Sequence, residues 1–223
     1  MTEQPLPRCA GEVGIDLGLT SFVALSDGSK IAAPKFLRGA ERNLRRRHKT
    51  LDRKVKGSAN RHKAVVRVAR AYARVADTRR DWQHKLSTRI IRENQAVYVE
   101  DLNVHGLGRG RSLAKSVHDA AWAQFVRMLE YKAARYGREF RKVGRFEPTT
   151  RRCSVCGVVG EKKPLEVRSW RCGCGAVHDR DLNAAMNILA AGRADKSNAC
   201  GVGVRPAKLP APRGEAGIPS GVV

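Results

Sequence analysis

Apolar and polar residues alternate near the start of the chain. Val13, Ile15 and Leu17 take every second position against Gly14, Asp16 and Gly18, the period of a strand. Phe22–Leu25 predicts a second strand, Ser26-Asp27-Gly28-Ser29 a turn, and Lys30–Ala33 a short third strand. The chain therefore opens with an antiparallel meander. From residue 35 the period changes. Val65, Val68, Tyr72, Val75, Trp82 and Leu86 follow helical spacing, with Arg79 interrupting the stripe. Gly57-Ser58-Ala59-Asn60 divides this stretch into helices over 38–56 and 60–93, paired as a hairpin with one apolar seam. AVYVE at 96–100 predicts a buried strand, and the glycine-bearing 102–115 a loop. Residues 117–136 predict a helix with Trp122, Phe125, Val126, Leu129 and Ala133 on one stripe, stopped by Gly137. A strand over 139–146 and a helix over 179–191, closed by Gly192, follow. Residues 193–223 carry four Pro, five Gly and no period, and disorder is expected there.

Composition adds a partner class. With 42% apolar and 29% charged residues in 223, a buried core is within reach and wholesale disorder is excluded. No uncharged apolar run approaches the ~18 residues of a transmembrane helix, and residues 1–11 contain no apolar signal core. Lys and Arg number 44 against 21 Asp and Glu, a net charge of +23. Such an excess suits a polyanion, nucleic acid first and an anionic membrane surface second. Residues 35–94 hold 20 Lys/Arg and 5 Asp/Glu, a net +15. The densest run, Arg45, Arg46, Arg47, Lys49, Arg53 and Lys54, is the candidate phosphate-binding surface. No phosphate-cradling glycine motif is present.

Four of the six cysteines fall within 22 residues: Cys153 and Cys156, then a gap of 15, then Cys172 and Cys174. Two thiolate pairs on facing knuckles hold Zn²⁺ tetrahedrally. The second pair is one residue shorter than a standard knuckle, which leaves His178 as a possible substitute for one of its thiolates. A site filled by four protein ligands is structural, since a catalytic zinc keeps a position open.

Three separated carboxylates are the candidates for chemistry. Asp16 shares a strand face with Gly14 and Gly18, and small neighbours leave room for a ligand to approach it. Glu100 ends the AVYVE strand on the Ala96 and Tyr98 side, whereas Asp101 follows Val97 and Val99. Asp181 opens the last helix on the side of Ala184, Ala185 and Ile188, while Asp179 sits at the N-cap. Clustered carboxylates hold Mg²⁺ ions that activate water for phosphodiester cleavage.

GIDLG, VEDLN, CSVCG and CGAVHDRDLNAAMNIL resemble the TnpB family, the OrfB-type proteins of bacterial insertion sequences related to type V CRISPR effectors. DWQHKLSTRIIREN, LAKSVHDAAWAQFVRMLEYKAARYG and NACGVGVRPA are similar to that family too, so the resemblance spans nearly the whole chain. It implies an α/β, RNase H-like (RuvC) mixed sheet with flanking helices, a basic helical hairpin insertion over 38–93 and an inserted zinc ribbon. The implied units are a nuclease core over 1–149, the ribbon over 150–178, the last core helix over 179–192 and the tail over 193–223. The resemblance puts catalytic roles, with Mg²⁺ or Mn²⁺, on Asp16, Glu100 and Asp181, and structural zinc on Cys153, Cys156, Cys172 and Cys174. It implies a transposon-associated endodeoxyribonuclease of the cytoplasm and nucleoid, with DNA and a transposon-derived guide RNA as partners and no membrane. Family members carry an N-terminal half that grips the guide. Here the first catalytic strand starts about a dozen residues in, which reads as a truncated reading frame, a domesticated remnant, or a part that works with a second polypeptide supplying that half. The alternative is a catalytically silent nucleic-acid-binding fragment or regulator.

Overall fold

The computed structural model describes residues 5–110, 113–164 and 166–199. The meander forms as β1 (Glu12–Leu17), β2 (Ser21–Leu25) and β3 (Lys30–Ala32). The hairpin follows as α1 (Phe36–Asp52) and α2 (Ala59–Glu93), a few residues offset from the expected bounds. Ser58 sets the start of α2 by accepting the backbone N–H of Arg61 at 3.2 Å. Next come β4 (Ala96–Glu100), α3 (Val104–Leu107), α4 (Ala114–Ala120), α5 (Trp122–Arg135) and β5 (Glu139–Val143). A two-stranded ribbon, β6 (Ser169–Arg171) with β7 (Val177–Asp179), leads into α6 (Arg180–Ala199).

The five-stranded sheet runs β3-β2-β1-β4-β5. The meander strands pair antiparallel, and β4 joins β1 and β5 in parallel. Alternation divides its faces as the sequence predicts. Val13, Ile15, Leu17, Val97 and Val99 pack against Leu86, Ile90 and Ile91 of α2 and Phe125 and Leu129 of α5. Ala96, Tyr98 and Val143 meet Ile188 of α6 on the other face. The result is an α/β/α sandwich that puts β1 and β4 at the centre, with each face buried.

Several elements depart from the pattern reading. The helix expected over 117–136 is two helices, because Ala121 adopts a left-handed φ of 52° between α4 and α5. Gln83 of α2 takes the two carbonyls at this break, donating Nε2 to Ala120 at 2.9 Å and to Ala121 at 3.4 Å. The loop expected over 102–115 contains α3, capped by the Asn103 side chain on the N–H of Gly106. The strand expected to reach Phe146 ends at Val143, and Phe146 is exposed. Gly192 does not close α6, which continues to Ala199. Its lack of a side chain serves packing: a Cβ there would run into the ring of Tyr98. Residues 193–199 are thus helical rather than disordered, and 200–223 lie outside the described residues. Among the described residues, no helix is long and apolar enough to cross a membrane.

Candidate carboxylate and cysteine sites

Asp16 lies one residue from the end of β1, and Glu100 is the last residue of β4. The parallel register pairs Gly14 with Tyr98 and Ile15 with Val99, so the next step sets Asp16 beside Glu100 on the α6 face. Asp181 arrives from the first turn of α6. Its backbone N–H and that of Leu182 donate to Asp179 Oδ1 at 3.0 and 3.1 Å, which fixes Asp179 as the N-cap. Two strand ends and one helix start thus bring together three carboxylates from distant parts of the chain.

Their electrostatics record the crowding. The Asp16 carboxyl is pushed up to about 7, first by burial, then by the charges of Glu100 and Asp181; Arg180 and Lys30 offset part of this. Glu100 is raised as well, by burial and then by Asp101. Asp101 itself turns to Arg145, whose Nη2 lies 2.9 Å from Oδ2. Lys30, on the edge strand β3, reaches over with Nζ 2.6 Å from Asp179 Oδ1 and 3.5 Å from Asp181 Oδ2. Partial burial works against the Asp179 charge, but the Lys30 ammonium and the two N-cap hydrogen bonds outweigh it and hold this carboxyl below its usual range. Arg168 Nη1 approaches Asp181 Oδ1 at 3.7 Å. Burial and the two neighbouring acids thus favour the protonated form of Asp16, and all the polar atoms these three side chains offer are carboxylate oxygens.

One expectation about this site fails. The sequence reading gives Gly14 the task of clearing space for a ligand. That space belongs to α6: a Cβ on Gly14 would collide with the carbonyl of Ala185 and the backbone of Leu189. Gly18 likewise lies against the carbonyl of Ser21. Gly14 lets the last helix lie close against β1, whereas Gly18 accommodates β2.

The four cysteines of the cluster converge, with all four Sγ atoms within 4.8 Å of one another. Burial opposes ionisation of Cys153, but the N–H groups of Cys156 and Val155 and the His178 imidazole hold its thiol well below the usual range. Backbone N–H of Val158 favours the Cys156 thiolate, yet the neighbouring sulfur of Cys153 pushes this thiol up. Four thiol sulfurs gathered this closely are compatible with a structural zinc ion. His178 does not replace a cysteine in the cluster. Its Nε2 lies 3.0 Å from Cys153 Sγ, the place of a hydrogen-bond partner to a thiolate.

The sequence reading missed two asparagines that tie this module to α6. Asn187 Nδ2 donates to the carbonyls of Thr149 and Arg152, both at 2.7 Å. Asn183 Nδ2 donates to Arg152 at 2.8 Å, and its Oδ1 accepts the N–H of Ser154 at 2.9 Å. Their i, i+4 spacing one turn beyond Asp181 was the available signal. The cysteine knuckle and the acid-bearing turn are one rigid corner.

The two helices of the expected hairpin pack side by side, and their arginines do not all face the same way. A cleft of about 530 Å³ between α1 and α2 is lined by Arg47, Arg67, Arg70 and Arg74. A neighbouring cleft adds Arg46. Of the predicted residues, Arg46 and Arg47 face the clefts, whereas Arg45 pairs outward with Glu41 at 3.6 Å. Lys49 is exposed in the last turn of α1, and Arg53 and Lys54 follow its end. Arg67, Arg70 and Arg74, which line the cleft, form no run in the sequence, being spread along α2 at intervals of three and four.

Comparison with known proteins places this α/β chain among insertion-sequence transposases. A family profile described as probable transposase (OrfB_IS605) matches residues 1–110, and the Cas12f1-like TNB domain profile matches residues 122–188. The chain belongs to the OrfB/TnpB family. It is 52% identical over 205 residues to a Streptomyces pristinaespiralis protein named "Putative RNA-guided DNA endonuclease", covering 92% of this chain and 50% of that protein. An Escherichia coli (strain K12) protein of the same description, InsQ, is 31% identical over 206 residues, covering 85% and 51%. The fold is similar to that of Cas12f1 in a cryo-EM complex with sgRNA and target DNA, with a TM-score of 0.58, 19% identity and coverage of 83% of this chain and 51% of that one. The chain spans about half the length of these relatives.

Proposed function

We propose that this chain is the RNase H-like, RuvC-type nuclease half of a TnpB-like RNA-guided DNA endonuclease. The strand order, an antiparallel meander continued by two parallel strands, supports the RNase H-like reading. The observation that carries the function is the meeting of Asp16, Glu100 and Asp181, with Asp16 pushed up to about 7 by burial first and then by the other two acids. Asp16, Glu100 and Asp181 would hold two Mg²⁺ or Mn²⁺ ions, which would activate a water and stabilise the leaving oxygen during cleavage of a DNA phosphodiester. The protein's share is to fix its acids on two adjacent strand ends and a capped helix, and to keep Lys30, Arg168 and Arg180 near the anionic site. Cys153, Cys156, Cys172 and Cys174 would hold zinc in a ribbon over 150–178, whose role is to brace the start of α6 through Asn183 and Asn187. The hairpin would lay its arginine clefts along nucleic-acid phosphates. Guide binding would fall to the rest of the full-length protein, on this or a second polypeptide.

The test is cleavage of labelled single- and double-stranded DNA with Mg²⁺ or Mn²⁺, with and without RNA from the same locus. Asp16→Ala, Glu100→Ala and Asp181→Ala should each abolish cleavage while nucleic-acid binding persists, and Asp101→Ala should retain most activity. A protein that binds DNA but never cleaves it would favour the catalytically silent, regulatory reading.

A further inference from the structure

We infer that the chain takes up one unstacked nucleobase in a pocket at the root of the hairpin, apart from the acids and the arginine clefts. The pocket has a volume of about 190 Å³ and lies where the chain leaves β3 and enters α1. At ~30 Å³ per water molecule this equals about six waters, room for one planar heterocycle and not for a helix or strand of protein. Phe22, Phe36 and Trp82 wall it. Trp82 meets Phe22 at 4.9 Å between ring centroids and Phe36 at 6.0 Å, inclined at 82° and 68°. Phe22 is buried between Trp82 and Phe125, so the partly exposed Trp82 and Phe36 are the rings placed to meet a further aromatic plane.

Two polar groups on the lining lack partners. Gln83 is fully buried, and its Nε2 is committed to the carbonyls of Ala120 and Ala121, which leaves Oε1 unpaired. Arg79 gives Nη1 to the carbonyls of His118 and Asp119, which leaves Nε unpaired. One acceptor and one donor beside aromatic walls complement the edge of a base, which offers N–H and ring N or carbonyl groups. An apolar side chain in the pocket would leave both groups unsatisfied. A lone phosphate has no use for the aromatic walls.

The surroundings supply the rest of a nucleotide site. Lys35 and Arg38 are exposed and border the pocket, placed for the phosphate of an inserted nucleotide. Phe36 lines both this pocket and the arginine cleft between α1 and α2. A strand tracking the cleft would therefore pass the opening and could turn one base into it, as aromatic platforms do in single-strand binding.

The inference rests on the nucleic-acid reading above, and the experiment separates the two. The 223-residue protein is titrated with ten-nucleotide strands carrying one 5-iodouracil, in ribo- and deoxyribo- forms, then irradiated, and cross-linked peptides are mapped by mass spectrometry. The expected result is cross-linking at Trp82 or Phe36. It should fall at least fivefold in Gln83→Leu and in the pocket-filling Ala33→Leu, with a modest loss of affinity, while the salt dependence of binding, set by the arginine clefts, is retained. Two variants guard against misfolding of either, each checked by circular dichroism. The ribo and deoxyribo arms tell which strand supplies the base. Tight binding with cross-links confined to the cleft, or undiminished in both variants, overturns the pocket. A Gln83→Leu protein that melts higher and loses no cross-links points to a protein segment as occupant and overturns it too. Absence of strand binding altogether sinks the nucleic-acid reading itself.

Discussion

Lys30, on the edge strand, lays its ammonium 2.6 Å from the Asp179 carboxylate at the start of α6, closing an ion pair across 149 residues of sequence. The same ammonium is 3.5 Å from Asp181 and favours the charged form of Asp16. It competes with any cation for the acids. Lys30→Met should therefore bind Mn²⁺ several-fold more tightly in calorimetric titration. The pair is about a third exposed, so its loss should lower stability by under ~1 kcal/mol. Weaker Mn²⁺ binding would mean that Lys30 organises the acids more than it opposes the metal.

Asp16 sets a pH dependence of stability. Its carboxyl ionises near 4 in the unfolded chain and near 7 in the folded protein, so folding takes up a proton between these values. Stability is undiminished below about pH 4, falls as pH rises toward 7, and levels off above. At ~1.4 kcal/mol per pKa unit, the loss is of the order of 2–4 kcal/mol after discounting for solvent. Thermal melts in chelator should trace this decline in wild type and a flatter profile in Asp16→Asn. Excess Mn²⁺ at pH 8 should raise the wild-type melting temperature more than the variant's. Parallel profiles would place Asp16 outside any crowded acid cluster.

Gly192 and Gly39 make opposite predictions for one substitution. Alanine in a helix gains up to ~1 kcal/mol over glycine. At Gly39 a Cβ meets nothing within 4 Å, so Gly39→Ala should stabilise. At Gly192 the Cβ strikes the buried Tyr98 ring, and overpacking of about 1–3 kcal/mol wins, so Gly192→Ala should destabilise. Urea denaturation of both variants checks the signs.

Metal removal should act in two separable ways. Millimolar EDTA strips Mg²⁺ and stops cleavage, whereas thiolate-held zinc resists it. Cys172→Ser should release zinc and also reduce activity, because Asn183 and Asn187 join the knuckle to the turn bearing Asp181. Metal analysis of the purified protein should return about one zinc per chain; less than half would overturn the four-thiolate centre.

The arginine clefts predict which charges meet phosphate. Alanine at Arg67, Arg70 and Arg74 together should reduce the slope of log K against log salt by about 2–3. The outward set Arg45, Lys49 and Arg53 should reduce it less. Equal effects would mean that nucleic acid wraps the hairpin from outside.

What the sequence made legible was whatever one period or one motif could carry. Alternation at Val13–Leu17 and AVYVE placed two strands and sorted Asp16 and Glu100 onto one face, and thiol spacing marked the cysteine centre. Features that depend on a distant partner stayed hidden. Ala121 reads as mid-helix because nothing nearby reveals that Gln83 holds its carbonyl. Gly192 reads as a helix stop because the Tyr98 ring above it comes from the sheet. Lys30 carries no motif, and its partner lies at the other end of the chain.

Helix α2 has 35 residues, about 52 Å of rod at 1.5 Å each. Only its last third, with Gln83, Leu86, Ser87, Ile90 and Ile91, is buried in the body of the protein; Ala64 and Val68 lie on the stretch that runs beside α1. Whole turns could therefore be added or removed at the tip, in both helices together, without moving a strand or an acid. Each matched turn shifts the outermost arginines by ~5.4 Å, against ~3.4 Å of helix-axis rise per phosphate of one strand in a duplex. The hairpin is an adjustable ruler: insertions and deletions near Gly57 can reset its reach along any bound strand while the three acids stay where they are.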